Sequence, residues 1–214
     1  MDISNKKVHF LGDSITERYS ASIYENCYVG LFQGAYPNAE ITNYGISGTR
    51  LAKQTKPSAE THWDNDFNAR VAEMSENADL VVVFGGTNDY GHGDAPFGVW
   101  GDKTDDTFCG AVYALYEKLA NKYPLAKFLV LTPLHRLNED TPDMKGKVLK
   151  DYVDIIRKTA EYFSYPVLDL YAVSGMNPSI GKMKDTMMND GLHPNDNGHK
   201  RLFEMIDAYI RNCM

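Results

Sequence analysis

The sequence predicts an α/β protein built on a parallel sheet with helices on both faces. Two observations carry that expectation. Five short segments rich in Val, Ile, Leu, Phe or Tyr read as strands, and amphipathic stretches at helical spacing separate them. Strands that alternate with helices return in the same direction, which makes the sheet parallel and requires cover on both sides. No Pro/Ser-rich linker, repeat or low-complexity segment divides the 214 residues, so residues 1–214 are expected to form one domain.

The first strand is expected over Lys7–Leu11, and it runs straight into Gly12-Asp13-Ser14-Ile15-Thr16. That stretch reads as a strand-to-helix turn, in which Gly12 permits a sharp bend and Asp13 or Ser14 can cap the helix that follows. A helix is expected over Ile23–Tyr36, with Leu31 and Phe32 on its apolar face and Pro37 as its stop. The second strand is Glu40–Tyr44, a shorter helix covers Phe67–Glu76, and the third strand is Leu80–Phe84. Thr107–Tyr123 places Phe108, Val112, Leu115 and Leu119 at helical spacing, with Asp105, Asp106 or Thr107 available as cap. The fourth strand, Lys127–Leu131, is followed by a helix over Val148–Phe163, and the fifth strand is Pro166–Leu170. Asp196–Arg211 is the last helix. Two long connections, Gly45–Asp66 and Tyr90–Asp106, leave the second and third strands and are rich in Gly, Asp, His, Trp and Pro. Long loops at the carboxyl edge of such a sheet usually line sites, so Trp63, Tyr90, Phe97 and Trp100 either form the walls of one or simply pin the loops to the body of the protein.

Composition narrows the function classes. With 43% hydrophobic and 24% charged residues, the chain falls among soluble globular proteins rather than disordered or fibrous ones. A formal charge of −7 opposes binding to a phosphate backbone, so no nucleic-acid partner is expected. The longest apolar runs, Leu80–Phe84 and Phe128–Leu131, are too short to span a bilayer, and no membrane partner is expected. The N-terminal residues lack the apolar centre and cleavage site of a secretory signal, which points to the cytoplasm. Cys27, Cys109 and Cys213 are widely spaced without a CxxC, which suggests neither a disulfide framework nor a zinc site. The pairs His62-x-Asp64 and His92-x-Asp94 lack an obvious third ligand, so no metal is expected. Neither GxxxxGK[ST] nor GxGxxG occurs, so no cofactor is expected either.

Three later segments give the Ser14 turn a chemical reading. A serine that attacks a carbonyl needs a base and a group that orients the base. Asp190-Gly191-Leu192-His193-Pro194, just before the last helix, offers both. Asp190 can accept from one ring nitrogen of His193 while the other faces Ser14. The oxyanion of a tetrahedral intermediate needs donors. Asn43-Tyr44-Gly45-Ile46-Ser47-Gly48 leaves the second strand and Gly85-Gly86-Thr87-Asn88-Asp89 the third, at the same sheet edge as Ser14. The Gly48 N–H is the first choice of donor and Gly45 the second, with the Asn88 side chain and the Ser14 N–H beside them. Read one at a time, these segments also fit plain caps and turns.

Taken together, Gly12-Asp13-Ser14-Ile15, Asn43-x-Gly45-x-Ser47-Gly48, Gly86-x-Asn88-Asp89 and Asp190-Gly191-Leu192-His193 resemble the four blocks, in order, of the SGNH hydrolases, the GDSL lipase/esterase family. The resemblance implies a flavodoxin-like three-layer α/β/α sandwich with a five-stranded parallel sheet. It also implies Ser14 as nucleophile, His193 as base, Asp190 as orienting acid, and Ser14, Gly48 and Asn88 as oxyanion donors. Asp13, Tyr90 and Trp100 are the candidate substrate contacts. Thr16-Glu17-Arg18-Tyr19 lacks the small glycine that often follows in the family, which bears on the cleft floor rather than on the chemistry. The expected reaction is hydrolysis of a small acyl ester, such as an acetylated carbohydrate or another short-chain ester. The alternatives are an acyltransferase using the same acyl-enzyme and a non-catalytic flavodoxin-like binding module.

Overall fold

The computed structural model describes residues 1–214. Five parallel strands, β1 (Lys7–Gly12), β2 (Glu40–Gly45), β3 (Leu80–Phe84), β4 (Lys127–Leu131) and β5 (Val167–Leu168), form one sheet in the order β2-β1-β3-β4-β5. The strand direction follows from the connections, because every crossover carries helical or looped chain back to the same edge. Gly12 at the end of β1 is in register with Gly45 of β2 and Phe84 of β3, so three carboxyl ends finish level with one another.

Side chains alternate across the sheet and split the core in two. Val8, Phe10, Leu80, Val82, Phe84, Leu129 and Leu131 face α2 (Tyr28–Ala35) and α9 (Asp196–Cys213), meeting Val29, Phe32, Leu202 and Ile206. Leu11, Val81, Val83 and Val130 face α3 (Phe67–Arg70), α5 (Phe108–Lys122) and α6 (Leu149–Tyr162), meeting Phe67, Leu115, Val153 and Ile156. The result is the three-layer α/β/α arrangement. The remaining helices are short: α1 (Ser14–Glu17), α4 (Thr87–His92), α7 (Leu170–Val173) and α8 (Gly181–Met187). No helix is long and apolar enough to cross a membrane.

Several elements are shorter than their hydrophobic patterns predict, each for a local reason. Ile23–Tyr36 is broken at Cys27, which is extended (φ −73°, ψ 155°) and caps α2 by accepting from the Gly30 N–H through its sulfur. Phe67–Glu76 is helical only to Arg70, then tightens into a 3₁₀ turn over Val71–Glu73. β5 stops at Leu168 because Asp169 accepts from the Ala172 N–H and starts α7 at Leu170.

Candidate active site

At Gly12 a Cβ would lie 1.8 Å from Thr16 Oγ1. Only glycine lets β1 turn directly into α1 at that distance. Asp13 then caps the helix, accepting from the Ile15 N–H at 3.1 Å. Its carboxyl is 2% exposed, and burial, opposed by the Ile15 N–H and the nearby Arg70 charge, pushes its pKa up to about 7. Ser14 follows at the first helical position.

The Ser14 Oγ lies 3.0 Å from His193 Nε2, and His193 Nδ1 lies 2.6 Å from Asp190 Oδ2. The other Asp190 oxygen accepts from the Leu192 N–H at 2.9 Å and the His193 N–H at 2.7 Å. Partial burial alone would raise the Asp190 pKa. The N–H bonds and the imidazole outweigh it and hold the carboxyl below the usual range. A carboxylate fixed on one side of the ring sets its tautomer, with the proton on Nδ1 and Nε2 free to accept from the hydroxyl. The Tyr19 ring packs on the imidazole, with centroids 4.3 Å apart.

Gly48 and Asn88 approach through Thr49. Gly48 has φ +74°, and a Cβ there would strike the Trp63 indole at 2.1 Å. The space and the backbone both demand glycine. Its N–H donates to no backbone carbonyl. Asn88 Nδ2 donates to the Thr49 carbonyl at 3.1 Å, which employs one of its two amide hydrogens. Next to it, the Asp89 carboxylate accepts from the Leu51 and Ala52 N–H groups, both at 3.0 Å. The end of β3 thus grips the loop that carries Gly48. Ser47 donates through N–H and hydroxyl to Glu17, and Asn43 Nδ2 donates to the Thr16 carbonyl at 2.8 Å, which ties the end of β2 to α1.

Four sequence expectations need correction. Gly45, the second choice of oxyanion donor, gives its N–H to Asn43 Oδ1 at 2.8 Å and is not free. Asp13 is sealed beneath α1 as its cap, so it does not face a substrate. Trp100 lies elsewhere, its ring under Lys158 Nζ at 4.3 Å and beside Tyr162 on α6. Phe97 is likewise packed between Phe108 and Tyr152. Tyr90 does line a cavity, with its hydroxyl donating to the Asn138 and Thr141 carbonyls at 2.5 and 2.8 Å. Trp63 abuts Gly48 and packs on His92, with centroids 4.7 Å apart. Of the two His-x-Asp pairs, three members are engaged with neighbours: Asp64 and His92 Nδ1 both bind Arg50, and Asp94 takes the Thr55 N–H and hydroxyl.

Arg70 was not anticipated. Its guanidinium is buried and reaches the carbonyls of Tyr44 and Gly12 at 2.5 and 3.1 Å and the Thr49 hydroxyl at 2.9 Å. One cation therefore ties together the ends of β1 and β2 and the Gly48 loop. Its position one turn into a helix gave no sign of that, since a lone arginine ordinarily reads as a solvated side chain.

A parallel sheet of this order, with its motif residues gathered at the carboxyl edge, is the framework of a carboxylic ester hydrolase. The model of the GDSL-like Lipase/Acylhydrolase family matches residues 10–201, and the chain belongs to that family. Among solved structures, it is similar to a protein from Lactobacillus plantarum (27% identity, TM-score 0.86, 100% of both chains covered). It is also similar in fold to a possible lipase from Chitinophaga pinensis DSM 2588 (20% identity, TM-score 0.69, 96% of this chain and 98% of that one). An acetyl xylan esterase shares the fold too (24% identity, TM-score 0.68, 95% of this chain and 99% of that one). No curated protein matches the sequence.

Proposed function

We propose that the protein is a serine esterase acting on small acyl esters, with the whole chain serving as one catalytic domain. Ser14 attacks the ester carbonyl while His193 Nε2 takes the hydroxyl proton, and Asp190 steadies the imidazolium that results. The oxyanion is met by the N–H groups of Ser14 and Gly48 and by the second amide hydrogen of Asn88. Collapse of the tetrahedral intermediate breaks the C–O bond to the alcohol, which leaves with the proton from His193. Water then adds to the acyl-enzyme by the same route and frees Ser14. The observation that carries this reading is the unbroken file from Asp190 through His193 to Ser14, with gaps of 2.6 and 3.0 Å.

A small polar ester is favoured by the polar side chains Arg136, Asn138, Thr141 and Asp143, which line a cavity with Tyr90 of α4, the helix that carries Asn88. Acetylated carbohydrates are a suitable first panel, because the fold is shared with a protein described as an acetyl xylan esterase. The test is hydrolysis of p-nitrophenyl acetate by the parent and by Ser14→Ala, together with labelling by a serine-reactive phosphonate. The expected loss in kcat is at least about 10³-fold, with the adduct on Ser14. Equal turnover by parent and variant would overturn the assignment.

A further inference from the structure

A cavity of about 410 Å³ opens between α4 and the segment Leu137–Met144. Two joints connect it to the candidate site. Its wall residue Tyr90 lies on the same short helix as Asn88, and the Leu137 N–H donates at 2.9 Å to the carbonyl of Gly191, which sits between Asp190 and His193. Arg136 is its cationic wall. The guanidinium lies 5.4 Å from the Tyr90 ring centroid and against Gly91, where a Cβ would come within 2.7 Å of Nη1. Nη1 donates to the Thr87 carbonyl and hydroxyl at 3.1 and 3.2 Å.

The rest of that guanidinium is unsatisfied. Nη2 donates to nothing in the protein, and Nε is buried with no partner, as it also is in Arg50, Arg70 and Arg157. Arg50, Arg157 and Arg211 each meet a carboxylate within 3 Å, whereas Arg136 forms no ion pair. The acids around it are committed elsewhere: Asp13 caps α1 and Asp190 is held by His193 and two N–H groups. Glu139 accepts from the Arg136 N–H and pairs with His135 Nδ1, and Asp143 accepts from the Tyr152 hydroxyl and stands 3.3 Å from Lys145 Nζ. Lys145 itself reaches the Asp89 and Gly93 carbonyls, adding a second cation behind α4. Nη2 is the nitrogen left to meet a ligand, and a charge-assisted bond from a guanidinium to a carboxylate is among the strong ones.

We propose that this cavity is a subsite for a carboxylate carried by the ester substrate, with Arg136 as the residue that recognises it. The proposal rests on the esterase reading of Ser14 and narrows its substrates to anionic esters. Two matched pairs test it. Mono-(4-nitrophenyl) glutarate against 4-nitrophenyl valerate places the charge on the acyl side, and 4-acetoxybenzoate against 4-tolyl acetate places it on the alcohol side. After subtraction of spontaneous hydrolysis, kcat/KM for the parent is expected to favour the anionic member of at least one pair by about tenfold or more. Arg136→Gln is expected to collapse that ratio, and Arg136→Lys to keep part of it. The ratio is the readout because Arg136 also holds Thr87, and a general loss of activity would cancel from it. Parent ratios near one in both pairs overturn the subsite and leave the esterase standing. An anionic preference that survives in Arg136→Gln overturns the role of Arg136. Failure to hydrolyse any of the four esters overturns the esterase reading and the subsite with it.

Discussion

Asp190 is held from three sides, by two backbone N–H groups on Oδ1 and the imidazole on Oδ2. Asparagine can keep the first two bonds through its carbonyl, but its NH₂ cannot accept from Nδ1, and the ring then takes the wrong tautomer. Asp190→Asn is therefore expected to lower kcat by about 10³-fold or more while thermal melting stays close to that of the parent; a loss under tenfold would remove Asp190 from its role. That Ser14, His193 and Asp190 come together was legible only through the four motifs taken jointly, because each segment read alone also fits a cap or a turn. Trp100 was misread for a physical reason. An aromatic residue in a long loop can pack on either layer, and here it settled on Lys158 of α6. Arg70 and Arg136 left no trace in the sequence, since their importance comes from the carbonyls and hydroxyls that surround them in space.

At the scale of elements, α1 ends awkwardly. The residue that caps its C-terminus, Arg18, has φ +133°, a region that side chains avoid and glycine occupies freely. Thr16-Glu17-Arg18-Tyr19 thus carries no glycine where the backbone would favour one. Arg18→Gly is expected to stabilise the fold by about 1 kcal/mol, seen as a rise in Tm of about 2–4 °C; a fall in Tm would show that Arg18 contributes contacts worth more than its strain. The strands β1, β3 and β4 were readable because each is a buried, branched run bounded by turn residues. α4, α7 and α8 were not, because six, four and seven residues hold too little periodicity to register, and such short helices depend on tertiary partners. α4 depends on Asp89 gripping Leu51 and Ala52, and α7 on its Asp169 cap.

Across the whole molecule, buried titratable groups shape the response of stability to pH. Burial holds His9 and His199 down to about 4. Below about pH 6.5, the usual histidine pKa, the unfolded chain takes up protons that the folded one refuses, so stability is lost as pH falls from there toward 4. Asp13 and Asp89 act in the opposite sense. Burial raises them to about 7 and about 6, so the folded chain keeps protons that the unfolded one releases, and stability is lost as pH rises from about 4 through that range. His9 isolates the first effect, since it lies between Tyr44 and Tyr123 with neither ring nitrogen bonded. His9→Leu is expected to gain on the parent in Tm as pH drops from 7 to 5; a constant gap would mean that His9 titrates normally. The positions of Ser14 and His193 along the chain have one further effect. They are 179 positions apart, one at the end of β1 and the other just ahead of α9, so during synthesis the hydroxyl emerges long before the imidazole it meets. Under the proposed mechanism, a nascent chain on the ribosome carries only an ordinary alcohol there until α9 and the turn before it have docked.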